Sequence, residues 1–92
     1  MLFFVKVRID INKMPEMGRK LVSGELDKSC LKSTFCIQND PSVGLNIWEA
    51  ASREEFERVF APHRQFYAEV MEITPVIPPA QAQELLIKQL AG

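Results

Sequence analysis

The side chains able to do chemistry are few and scattered: Lys6 and Arg8 near the start, Cys36, Asn46, Trp48, then His63, Tyr67 and Glu72. Lys6 and Arg8 carry fixed positive charge that could hold a substrate carboxylate, with Glu72 as a general base if burial raises its pKa. The competing reading is that these charges pair with each other across a sheet or at a subunit interface. His63 is the one histidine. Lying just after a helical segment in Ala61-Pro62-His63-Arg64 and close to Tyr67, it could serve at a pocket mouth as acid or base, or could simply satisfy a helix C-terminus. Tyr67 and Trp48 could stack on a ligand, or fill core or interface. Cys36, flanked by Phe35 and Ile37, reads as a buried, inert thiol. The weak catalytic candidates are therefore His63 and Glu72, and the ligand-binding candidates Lys6, Arg8, Asn46, Trp48 and Tyr67.

What is missing narrows the classes. With one histidine and no clustered carboxylates, a tight transition-metal site within one chain is not expected, and no cofactor motif is present. Two cysteines, Cys30 and Cys36, do not make a disulfide framework, and their spacing matches no zinc pattern. Eleven basic against twelve acidic residues give a net charge of -1, which argues against a broad phosphate-binding surface and a nucleic-acid partner. The apolar start, Met1 to Val5, is interrupted by Lys6, too early for a signal peptide or a membrane span. The cytoplasm is the default expectation. At 92 residues and 47% apolar composition, the chain is expected to form one domain, 1–92.

The elements that must position these residues follow from patterning. Residues 1–10 read as a strand ending in Asp10, Asn12 and Pro15. Met14, Met17, Leu21 and Val22 recur at helical spacing behind Pro15, which predicts a helix over 14–26, weakened by Gly18 and Gly24. Residues 31–38 and 43–50 read as strands joined by Asn39-Asp40-Pro41-Ser42, a hairpin. Ser52 with Glu55 forms a capping box for a helix carrying Phe56, Val59 and Phe60, which Pro62 ends or kinks. Residues 68–76 give a fourth strand, and Pro78-Pro79 starts a last helix, 79–90, with Ala82, Leu85, Leu86 and Leu90 as its stripe. The order β-α-β-β-α-β-α is that of an α+β, ferredoxin-like split βαβ fold with an antiparallel sheet.

Alternation along the strands predicts two unlike faces. Phe3, Val5, Val7 and Ile9 are expected to meet the helices, joined by Val43, Leu45 and Ile47 and by Met71 and Ile73. The other face would then gather Phe4, Lys6, Arg8, Asn46, Trp48 and Glu72, with Thr34 and Cys36 from the second strand. Right-handed crossovers put both main helices on one side, leaving this mixed face bare. Burial against a second copy is the expected cover, a homodimer through the open sheet face. The last helix is expected to dock on that partner.

Two stretches carry a resemblance. Met1-Leu2-Phe3-Phe4-Val5-Lys6-Val7 resembles the first strand of muconolactone isomerases. Gly44-Leu45-Asn46-Ile47-Trp48-Glu49-Ala50, with Phe56, Ala61-Pro62-His63-Arg64 and Ile73-Thr74-Pro75-Val76, is similar to small uncharacterised bacterial proteins of the dimeric α/β-barrel superfamily. The resemblance implies paired sheets closing a barrel around a pocket, and by analogy an isomerase or a cofactor-free monooxygenase; it implies no catalytic residue here. Two functions stand: a protein that binds or transforms a small organic molecule between sheet and helices, or a non-catalytic structural or regulatory interaction module. A filled cavity would favour the second.

Overall fold

The computed structural model describes residues 1–92. The elements are β1 (Leu2–Ile9), α1 (Met14–Ser23), β2 (Leu31–Ile37), β3 (Asp40–Glu49), α2 (Arg53–Phe60), β4 (Tyr67–Val76) and α3 (Pro79–Ala91), with short 3₁₀ turns at Ile11–Lys13 and Ala61–Phe66. The four strands form one sheet in the order β2-β3-β1-β4, every neighbouring pair antiparallel. This is the ferredoxin-like α+β arrangement that the element order predicts, with both crossovers skipping one strand.

Local chemistry sets the helix ends. Pro15 occupies the first turn of α1, and Gly24 closes it at φ 83°, a left-handed conformation that glycine adopts without a Cβ penalty. The Ser52 hydroxyl accepts from the Glu55 amide at 3.1 Å, capping α2 as its sequence predicts. α2 ends at Phe60, just before Pro62; the backbone tightens into the 3₁₀ turn Ala61–Phe66 and enters β4.

The two helices cover the sheet unequally. From α2, Phe56, Val59 and Phe60 are fully buried, and the two phenylalanines join Phe3 and Trp48 in one aromatic cluster: Phe3–Phe56 at 4.4 Å, Phe56–Phe60 at 5.3 Å and Trp48–Phe60 edge-on at 5.4 Å. No residue of α1 is fully buried. Met17 and Leu21 are half-buried, whereas Met14 and Val22 are exposed. Half of the helix layer is thus close-packed and half is loose.

The register corrects the expected sorting of β3. Across β1–β3, Phe3 lies opposite Trp48, Val5 opposite Asn46 and Val7 opposite Gly44. Cross-strand partners share a face, so Asn46 and Trp48 belong to the helix-facing side and Leu45 and Ile47 to the open one. Thr34 and Cys36, opposite Asn46 and Gly44, are likewise on the helix side. The physical reason is that Trp48 buries more apolar surface against Phe56 and Phe60 than any aliphatic on β3 could, while the Asn46 amide is tied down by Thr34. In β4, irregularities flanking Met71 and Ala68 break simple alternation, so that Val70 joins Ile73 inside and Met71 does not.

Candidate functional site

The loose half of the helix layer leaves a cavity of about 140 Å³ between α1 and the sheet, lined by apolar side chains that include Val7, Ile9, Met17 and Leu21 and by the polar groups of Thr34, Cys36, Asn46, His63 and Tyr67. Two of its lining residues, Thr34 and Cys36 on the edge strand β2, are exposed. Gly44 forms part of the floor; a Cβ there would sit 3.3 Å from Val7 Cγ2, so the missing side chain contributes directly to the space.

Two polar residues of this cavity are almost wholly buried: Asn46 is 5% exposed and His63 1%. Asn46 Oδ1 accepts the Thr34 hydroxyl proton, and the Asn46 amide nitrogen has no partner within the chain. His63 Nε2 lies 2.8 Å from the Asp27 carbonyl oxygen. A carbonyl only accepts, so Nε2 carries the proton, and in the neutral ring Nδ1 is a free acceptor. The ring is held by Trp48 edge-on at 5.0 Å and by Phe60 in parallel at 6.4 Å. The Tyr67 hydroxyl makes no hydrogen bond within the chain, and burial pushes its pKa up to about 12, so it remains a donor at neutral pH. Beside the site, Trp48 Nε1 is a buried polar atom without a partner. The residues around the cavity therefore include two donors with no partner in the chain, the Asn46 amide and the Tyr67 hydroxyl, and the ring of His63, among apolar walls.

Of the predicted ligand-binding residues the structure gathers Asn46 and Tyr67 here, with Trp48 behind them, and places Lys6 and Arg8 on the opposite face. Arg8 uses Nη1 on Asp40 at 3.2 Å and Ser42 at 3.0 Å; the hydrogen bond that Ser42 donates to Asp40, and after it the Arg8 contact, hold the Asp40 carboxyl below the usual range. Lys6 lies opposite Glu72. Glu72 is exposed, accepts from Thr74 at 2.6 Å and does not line the cavity. Lys6, Arg8, Asn46, Trp48 and Glu72 are not one surface. His63 is neither at the surface nor at a helix end satisfying carbonyls; it is a buried wall of the cavity. Cys36 is exposed rather than buried, because β2 is an edge strand and α1 does not reach over it. The buried thiol is Cys30, pushed up in pKa chiefly by desolvation. Sequence reasoning missed the apolar lining from Val7, Ile9, Met17 and Leu21, and the one available signal was a glycine, Gly44, inside a strand. No three His, Cys, Asp or Glu side chains come close enough to hold a metal ion, and no helix is long and apolar enough to cross a membrane.

No family model matches the chain, and no curated protein matches it in sequence. Among solved structures it is similar to a protein of Chloroflexus aurantiacus J-10-fl described as a candidate antibiotic biosynthesis monooxygenase, at 19% identity over 84% of this chain and 90% of that one, with a TM-score of 0.45.

Proposed function

We propose that the protein binds a small organic molecule in the cavity under α1, an apolar body about one ring in size that ends in a hydrogen-bond acceptor. The observation that carries this reading is the pair of nearly buried polar side chains, Asn46 and His63, that line an apolar cavity with hydrogen-bonding capacity unused. Buried polar groups are ordinarily paired, and a cavity of about 150 Å³ is enough for benzene. A carbonyl or carboxylate would accept from the Asn46 amide and the Tyr67 hydroxyl, and a hydroxyl on the same ligand would donate to His63 Nδ1. The reading is compatible with a place in the dimeric α/β-barrel superfamily, and with a cytoplasmic setting in which Cys30 and Cys36 stay reduced. The resemblance of β1 to muconolactone isomerases assigns no residue of this cavity a catalytic role.

Trp48, the one tryptophan, touches the His63 ring and so reports on the cavity wall. A library of one-ring carbonyl and carboxylate compounds, followed by Trp48 fluorescence and by melting temperature, is expected to give binders whose affinity falls about tenfold in Asn46→Leu, the value of one hydrogen bond to a charged or strongly polar group. Absence of binders, or binders indifferent to Asn46→Leu and to Tyr67→Phe, would reject the site.

A further inference from the structure

The cavity under α1 has a neighbour. A second, solvent-open groove of about 480 Å³ adjoins it, and the two share Ile9 and Cys36 as lining residues. Beyond that shared wall the groove is bordered by Ile11, Met14 and Pro41. Ile11 is 68% exposed and Met14 51%. Exposed apolar side chains are ordinary when scattered singly over a surface, but these two stand beside an apolar cavity with unused polar groups.

One stripe of α1 serves both spaces. Met14 lines the groove, Met17 and Leu21 line the cavity, and their spacing of i, i+3 and i+7 puts all three on one face of the helix. Seven residues of helix span about 10 Å, so cavity and groove form one trough longer than the single ring the cavity holds. Methionine is flexible and polarisable, and two of them along one wall suit an apolar occupant of varied shape. The outer end is polar but already satisfied: Ser42 donates to Asp40 at 2.7 Å, and Arg8 Nη1 donates to both, at 3.0 Å and 3.2 Å.

We propose that the ligand has two parts: an aromatic ring whose carboxylate or carbonyl is held in the cavity by Asn46 and Tyr67, and an apolar chain on the far side of the ring that passes Ile9 and Cys36 and lies along Ile11, Met14 and Pro41. This rests on the cavity reading above and adds the ligand class to it, a para-alkyl aromatic acid or ketone in place of a bare ring. The distribution of polar groups sets the direction. Donors without a partner are at the inner end, whereas Asp40 and Ser42 at the outer end are paired. A ligand bound the other way round would bury its chain against Asn46 and leave that amide unpaired. With the chain outward, its methylenes and the side chains of Ile11 and Met14 leave water together.

Titration of the full chain with benzoate and with para-hexylbenzoate, read by Trp48 fluorescence, tests the proposal. A fully buried methylene is worth about fourfold in affinity, so the hexyl compound is expected to bind at least about tenfold tighter than benzoate even with its chain partly covered. The double variant I11N/M14Q changes two exposed positions and is expected to melt as wild type does, to bind benzoate unchanged and to lose most of the hexyl advantage. Alkylation by iodoacetamide gives a second readout: Cys36 is exposed and Cys30 buried, and the hexyl compound is expected to slow the reaction at Cys36 more than benzoate does at equal occupancy. Benzoate binding that is weakened by Asn46→Leu but gains nothing from the hexyl chain overturns the two-part ligand and leaves the cavity reading standing. A hexyl gain that survives I11N/M14Q overturns it as well, because the chain then lies elsewhere. Failure of both compounds to bind overturns the ligand class, and the cavity reading falls with it only when the one-ring carbonyl compounds fail too.

Discussion

The two faces of the one sheet are built from similar amounts of apolar material and end in opposite states. On the helix side, Phe3, Val5, Val7 and Trp48 are at most 1% exposed, locked by α2 and its stacked rings. On the open side, Phe4, Leu45 and Ile47 alternate with Lys6, Arg8 and Glu72 and are only half-buried. Composition does not separate these faces; what lies across from them does. The helix side holds one imperfection, the cavity under α1, and its unused polar groups are there.

Substitutions of similar size should therefore have very unequal effects. Trp48→Ala removes the centre of the aromatic cluster and is expected to cost about 3–5 kcal/mol, enough to leave much of the chain unfolded. Phe35→Ala, on the open side, is expected to stay within about 0.5 kcal/mol in the monomer, as exposed positions do. Urea titrations of both, at a concentration below any association, measure the difference. Equal losses would mean that the faces are not distinguished as described.

Much of the fold was legible in the residues. Strand and helix spacing, the Ser52 cap and the proline positions yield all seven main elements in order, because each signal is local. The faces of β3 were not legible, because its alternate sets, Val43-Leu45-Ile47 and Gly44-Asn46-Trp48, both fit a pleated strand, and only register against Phe3, Val5 and Val7 decides between them. The bulge at Met71 hid the sorting of β4 in the same way. For the site, His63 and Tyr67 could be singled out as polar residues near a helix end. Their convergence with Asn46 depends on how loosely α1 sits, which no spacing encodes.

A second prediction uses pH to probe the cavity. Tyr67 titrates near 10 when unfolded and is pushed up to about 12 in the fold. Its neutral form is thus favoured by folding: the associated stability is fully present below pH 10 and is lost as the pH rises through about 12. With partial solvent access at the cavity the gap corresponds to roughly 2 kcal/mol. Between pH 9 and 11.5, wild type should lose more stability than Tyr67→Phe, which keeps the ring and removes the titration. Parallel losses in the two proteins would place the hydroxyl in water and weaken the case for a closed donor.

The smallest effect is expected at the centre of the open face. Lys6 and Glu72 lie directly opposite each other on β1 and β4, yet Glu72 is exposed, and opposite charges at such cross-strand positions contribute only about 0.2–1 kcal/mol. Glu72→Gln should therefore lower monomer stability by no more than about 0.5 kcal/mol, and less in 1 M salt, where the Debye length falls to about 3 Å. The same substitution reads differently once copies pair, because a charge removed from a desolvated face leaves Lys6 without a counterpart and costs several-fold more. A loss that grows with protein concentration would show the open face to be an interface, and the contrast between the faces would then be one between cover by a helix and cover by another chain.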